Sequence, residues 1–197
     1  MPLYRRKLVI VPLLIIAIFL AWLSYLWAVD SYRPSIRQTQ ALTEVADQVH
    51  AIMQQEGLDF VQINDGWSSA LEDEMLEKIS SDIEKANNKV EQAAFSYLCR
   101  PKCYFTAYFY IDMPPKGVID GPYRYFQYNP DGHLKEIVSP EYRQNRLTEH
   151  MQYNRFGWSE EFVPSISEAL KEDSGYVYFF CEPLEQERWH FCRGQFG

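Results

Sequence analysis

Residues 8–29 form a run of 22 residues without a single charged side chain, and no other stretch limits what this chain can be as strongly. At 1.5 Å rise per residue, a helix of that length reaches roughly 33 Å, against roughly 30 Å of hydrocarbon in a bilayer. Pro12 falls near its first turn, where a missing N–H costs little. Trp22, Tyr25 and Trp27 gather toward the far end, where amphipathic rings favour the headgroup layer. The run therefore predicts a transmembrane anchor over 8–29. The rival reading, a cleaved signal peptide, fits less well: the apolar run is longer than the usual apolar core of a signal, and Leu26 spoils a small-x-small site ending at Ala28.

Arg5, Arg6 and Lys7 precede the run, which by the positive-inside rule keeps residues 1–7 cytoplasmic; Arg33 and Arg37 beyond it weaken that bias without reversing it. The expected layout is a cytoplasmic tail over 1–7, an anchor over 8–29 in the inner (cytoplasmic) membrane, and one periplasmic or extracellular domain over 30–197. A seven-residue tail is too short for a catalytic or DNA-binding domain, so a signal carried inward needs a membrane-protein partner to relay it. Lipid contact is expected through 8–29.

Charge narrows the partners further. All 27 acidic residues lie at Asp30 or later, against 16 of the 19 lysines and arginines, so the outer part carries a net charge of −11. Such a surface is repelled by phosphate backbones, which excludes nucleic acid as a partner. The four cysteines, Cys99, Cys103, Cys181 and Cys192, all fall beyond the anchor. An even number in an oxidising compartment suggests two disulfides, with three pairings open. On the loop-entropy model a Cys99–Cys103 bridge is worth roughly 2 kcal/mol, Cys181–Cys192 roughly 3, and a crossed bridge roughly 4.5. The local pairing is the preferred one.

Beyond the anchor, Ser35 is placed to cap a helix that runs to about Glu56 and stops at Gly57. Leu42, Val45, Val49, Ile52 and Met53 lie along one stripe of it. That stripe packs on the domain or, as the alternative, forms a homodimer seam within 35–56. Leu58 to Ile63 reads as a short strand or a link. A second, longer helix is expected from Ser68 or Ser69 up to Pro101, because Leu76, Ile79, Ile83, Ala86, Val90, Ala93 and Tyr97 step by three and four. Asn87-Asn88 is its weak point.

From Tyr104 the pattern becomes that of β-structure. Strands are expected over 104–113, 123–128 and 133–138, the last two joined by a turn at Asn129-Pro-Asp-Gly132. Polar segments with helical patches follow around 140–151 and 164–172, then strands from Gly175 to Cys181 and from Glu187 to Arg193. The fold class is α+β: an N-terminal transmembrane helix, then long helices, then a mostly antiparallel sheet of about five strands.

Alternation along the strand 104–113 sends Phe105, Ala107, Phe109, Ile111 and Met113 to one face and Tyr104, Thr106, Tyr108 and Tyr110 to the other. Tyr123 and Tyr125, and Tyr176 and Tyr178, alternate in the same way. Tyrosine suits a half-buried position, since its ring favours burial while its hydroxyl needs a partner. This tyrosine face is therefore either covered by the long helices or is a ligand or partner face made of Tyr104, Tyr108, Tyr110, Tyr123, Tyr125, Tyr176 and Tyr178. The closing hairpin offers two registers. If paired residue numbers sum to 373, Cys181 faces Cys192; if they sum to 372, the two lie on opposite faces and cannot be bridged.

No catalytic constellation, cofactor or metal site stands out. His50, His133, His150 and His190 are scattered without a metal-ligand spacing, Cys99-x3-Cys103 has neither zinc-site nor thioredoxin-type spacing, and Asp131 is explained by its turn. The function these features favour is an anchored extracytoplasmic binding module, a sensing or accessory subunit acting through a membrane partner. The alternatives are a bitopic scaffold of a cell-envelope complex and an extracytoplasmic enzyme with a site assembled from distant residues.

Overall fold

The computed structural model describes residues 13–24, 32–63, 71–99, 103–113, 121–131, 151–153, 159–172 and 178–196. It divides at Pro34 into an N-terminal unit and a compact domain from Ser35 to Gly197.

In the first unit, helix α1 (13–24) consists of apolar residues except for Ser24. Leu13, Leu14, Ile15, Ile16, Ile18, Phe19, Leu20 and Trp22 are each more than half exposed, so the helix is apolar on all sides. Its twelve residues span roughly 18 Å. Among the described residues no helix is long and apolar enough to cross a membrane. The rest of the run expected to span, 8–12 and 25–29, lies outside the described residues.

The domain opens with α2 (Ile36–Glu56). Ser35 and Gln38 cap it reciprocally: the Ser35 hydroxyl accepts from the Gln38 N–H, and the Gln38 side chain accepts from the Ser35 N–H at 2.9 Å. Gly57 ends it at φ 67°, a conformation that costs glycine nothing. Leu42, Val45, Val49 and Met53 of the expected stripe are buried, together with Thr39 and Ala46. The stripe is thus consumed inside the domain.

Strand β1 (Phe60–Ile63) leads to α3 (Asp73–Ala86), which is shorter than the sequence pattern suggests. Asn87 ends α3, its carboxamide oxygen accepting from the Lys89 N–H at 3.1 Å to form a turn. Residues expected to continue the helix form strand β2 (Gln92–Cys99) instead. Ala93, Ala94, Phe95 and Ser96 are buried on both faces of that strand. A strand buried on both sides reads as an unbroken apolar run, which here coincided with helical spacing.

The remaining elements are β3 (Cys103–Asp112), β4 (Gly121–Tyr128), β5 (Met151–Tyr153), β6 (Ser159–Phe162), α4 (Ile166–Glu172), β7 (Tyr178–Pro183) and β8 (Trp189–Phe196). They complete one sheet in the order β1-β2-β3-β4-β8-β7-β6-β5. The six strands from β1 to β7 in that order are antiparallel neighbours, whereas β6 runs parallel to β7. The class is α+β as expected, with eight strands among the described residues in place of about five. The expected strand 133–138 lies outside the described residues.

Helices α2 and α3 lie on the face that carries Phe95, Phe105, Phe109, Phe126, Trp189 and Phe191. Trp189 donates its indole N–H to the Thr43 hydroxyl on α2 at 3.1 Å, and His50 of α2 stacks on Phe105 with ring centres 4.3 Å apart. Burying each of those aromatics contributes roughly 1.5–3 kcal/mol. The helices therefore cover the phenylalanine face, not the tyrosine face. Asp131 serves the turn structurally, its carboxylate accepting from the Phe105 N–H at 3.0 Å just past the end of β4.

Candidate functional site

The tyrosine face is the inside of a bend. Register places Tyr108 on β3 opposite Gln127 on β4, Tyr110 opposite Tyr125, and Tyr125 opposite Cys192 on β8. Cys192 pairs with Cys181 on β7, the register whose numbers sum to 373. Phe162 on β6 then pairs with Cys181. A residue-skipping irregularity between Tyr110 and Asp112 turns the end of β3 over. Met113 consequently packs on the tyrosine cluster and not with Phe105 and Phe109 as strict alternation suggests.

Glu160 on β6 shows how far the sheet bends. Between β4 and β6 lie β8 and β7, roughly 14 Å of flat sheet at the usual strand spacing. Yet the Tyr125 hydroxyl donates to the Glu160 carboxylate at 2.6 Å, and the Gln127 amide donates to its other oxygen at 3.2 Å. Side chains standing upright on a flat sheet would not meet, so the sheet curls toward its tyrosine face. Gly194 on β8 makes part of that curl possible. A Cβ at that position would fall within the Phe179 ring, which lies across β8 to reach Tyr123 with ring centres 5.9 Å apart.

This interior is polar but closed. Tyr108 and Tyr125 are 1% exposed, Tyr110 4%, and Gln127 and Glu160 fully buried. The rings pack on one another, Tyr110 against Tyr125 at 5.2 Å and Tyr108 against Tyr125 at 5.9 Å. Burial first, and the nearby Glu160 charge second, push the pKa of Tyr108, Tyr110 and Tyr125 well above the usual phenol value. At neutral pH all three are protonated and none acts as a base; the Tyr125 hydroxyl is the donor to Glu160. The Cys181–Cys192 disulfide closes the floor. The Gln127 amide oxygen lies 3.6 Å from the Cys192 sulfur, a packing contact, since a bridged sulfur has no proton to give. Among the described residues this face offers hydrogen bonding and stacking but no thiol or exposed acid–base pair.

Two groups on the same face are unsatisfied. The Gln92 amide nitrogen and the Ser96 hydroxyl are buried and have no hydrogen-bond partner among the described residues. Both sit on β2, opposite Tyr110 and Thr106 respectively.

Of the tyrosines singled out in the sequence, Tyr108, Tyr110, Tyr123 and Tyr125 come together in one cluster, and Tyr104 is buried on the same strand. Tyr178 lies on β7 opposite Gln195, next to Phe179 and three residues before Cys181, and of these three Phe179 and Cys181 join the cluster. Tyr176 lies outside the described residues. Glu160 and Gln127 were missed. Gln127 is legible in hindsight as the next residue in phase with Tyr123 and Tyr125. Glu160 sits in an ordinary Ser-Glu-Glu-Phe stretch and carries no local signal. Both disulfides are the local ones, Cys99–Cys103 and Cys181–Cys192.

An open cavity lies on the other side of the domain. It is a groove of about 540 Å3 between the first half of α2 and the end of α3, lined by Arg37, Ala41, Glu44, Val45, Asp82 and Lys85 among others. Its floor is small and apolar, and its rim carries both signs of charge. Among the described residues no group of three or more His, Cys, Asp or Glu is disposed to hold a metal ion. Comparison of the chain with family models, with curated proteins and with solved structures finds no match in any of the three.

Proposed function

We propose that this chain is a membrane-anchored, extracytoplasmic binding module that acts through a membrane partner. The observation that carries this reading is the surface of α1, apolar on every side and exposed, attached to a domain closed by two disulfides. A helix apolar all round is stable only inside a protein or inside lipid. The disulfides fit an oxidising compartment. The acidic charge of the outer part fits a protein partner better than a nucleic acid or an anionic lipid surface.

Within the domain, the burial of the tyrosine cluster favours a rigid interior, with docking on the helical side. A second reading keeps a small polar ligand inside the bend. The unsatisfied Gln92 amide and Ser96 hydroxyl favour it, because buried polar groups ordinarily find partners.

The test is purification of the tagged full-length chain from its native membranes in mild detergent, followed by identification of what accompanies it. A membrane protein in near-stoichiometric amount supports a sensing or accessory subunit. Several subunits of an envelope assembly support the scaffold alternative. A chain that purifies without any companion contradicts both.

A further inference from the structure

We propose that the α2–α3 groove seats a second copy of this chain, docked antiparallel along the first half of α2. Arg37, Ala41, Glu44 and Gln48 recur at helical spacing on the side of α2 that lines the groove. Arg37 and Glu44 are exposed, two turns apart, and neither is in an ion pair among the described residues. A two-fold interface brings residue i onto residue j and residue j onto residue i. With the axis between residues 40 and 41, Arg37 meets Glu44 of the second copy and Glu44 meets its Arg37, so one helix face satisfies itself twice. A parallel pairing would set Arg37 against Arg37 and Glu44 against Glu44, so the order of charges selects the antiparallel arrangement. Ala41 stands beside the axis, where a single methyl group permits the close approach of helices at about 8 Å.

This seam is not the apolar stripe that the sequence offers. Leu42, Val45, Val49 and Met53 are buried in their own domain, and the groove's exposed rim is polar. A floor of Ala41, Val45 and Ala86 is too small to hold a partner by apolar burial alone, which leaves charge complementarity as the selecting feature. Anchoring both copies in one membrane, as the proposed function has it, raises their effective concentration. The complementarity itself does not depend on that reading.

The four native cysteines are all bridged, so Ala41→Cys gives the full-length chain a single free thiol. In native membranes, mild oxidation is expected to link two copies through it. Arg37→Glu or Glu44→Arg, each introduced into the Ala41→Cys chain, is expected to cut the yield about tenfold, equivalent to 1.4 kcal/mol of coupling. The double reversal Arg37→Glu with Glu44→Arg is expected to restore it. Glu187→Cys, exposed in the β7–β8 turn, reads the background of chance collisions. Linkage at position 41 no greater than that background, or a double reversal that fails to restore it, overturns the proposal. Resistance of the same membranes to alkaline carbonate reads the anchor separately, so a monomeric but retained chain refutes the dimer and leaves the anchored module standing.

Discussion

Tyr125 and Glu160 hydrogen-bond at 2.6 Å across two intervening strands. That length is at the short end for a hydroxyl donating to an oxygen acceptor. Tyr125→Phe removes the donor and leaves a buried acceptor short of one partner, which is expected to cost about 2 kcal/mol. In a double-mutant cycle with Glu160→Gln, measured by urea unfolding, the two changes are expected to be non-additive by about 1 kcal/mol or more. Additive losses would mean that the contact does not hold the bend.

Gly194 is expected to tolerate no side chain. Gly194→Ala drives a methyl group into the Phe179 ring and is expected to destabilise the domain by about 1–3 kcal/mol. Phe179→Leu in the same chain removes the ring and is expected to recover part of the loss. A Gly194→Ala chain as stable as the parent in urea would contradict the packing described.

Alkali is expected to unfold the domain from within. The pKa values of Tyr108, Tyr110 and Tyr125 are raised by burial and by the Glu160 charge, so the unfolded chain gives up these protons near pH 10 while the folded chain keeps them. Stability present below pH 10 is therefore lost as pH rises above it. Phenolate absorbance is expected in two phases, exposed tyrosines first and the cluster only as tertiary structure is lost. A single phase with ordinary phenol titration and no loss of fold would contradict the closed face.

The two disulfides are expected to respond differently to reductant. Cys99 and Cys103 are exposed at the end of the β2–β3 pair, whereas Cys181 and Cys192 are fully buried. Under native conditions a dithiol is expected to open the first and spare the second, as read by alkylation and mass spectrometry. Loss of the second bridge, which closes a longer loop, is expected to cost about 3 kcal/mol. Opening of both bridges at the same rate would contradict the burial of Cys181–Cys192.

Much of this architecture was legible because its signals are local. Ser35 and Gly57 bound α2, and the alternation of residues 104–110 defines both faces of β3. The α3–β2 boundary was legible only as the weak point at Asn87-Asn88, where Asn87 does end the helix with a turn; the strand beyond it was hidden because Val90, Ala93 and Tyr97 continue a helical spacing by coincidence. The irregularity after Tyr110 was equally hidden, and with it the side on which Met113 packs. The tyrosine face could be named from alternation alone. Its closure could not, since that depends on Glu160, a residue brought to Tyr125 only by the parallel docking of β6 on β7. Tyr108 and Tyr125 are fully buried, so replacing either with alanine is expected to cost about 3–5 kcal/mol, and phenylalanine is the substitution that separates hydroxyl from packing.

The central claim, an anchored domain outside the cytoplasmic membrane, is tested most directly by side-specific labelling of the full-length chain in sealed, right-side-out membranes. A membrane-impermeant amine reagent added outside is expected to modify Lys78 and Lys89, exposed on or just after α3 and outside the groove, and to spare Lys7. The labelled chain is expected to stay with the lipid through an alkaline carbonate wash. Labelling of Lys7 with protection of Lys78 and Lys89, or release of the chain by carbonate, would contradict the account.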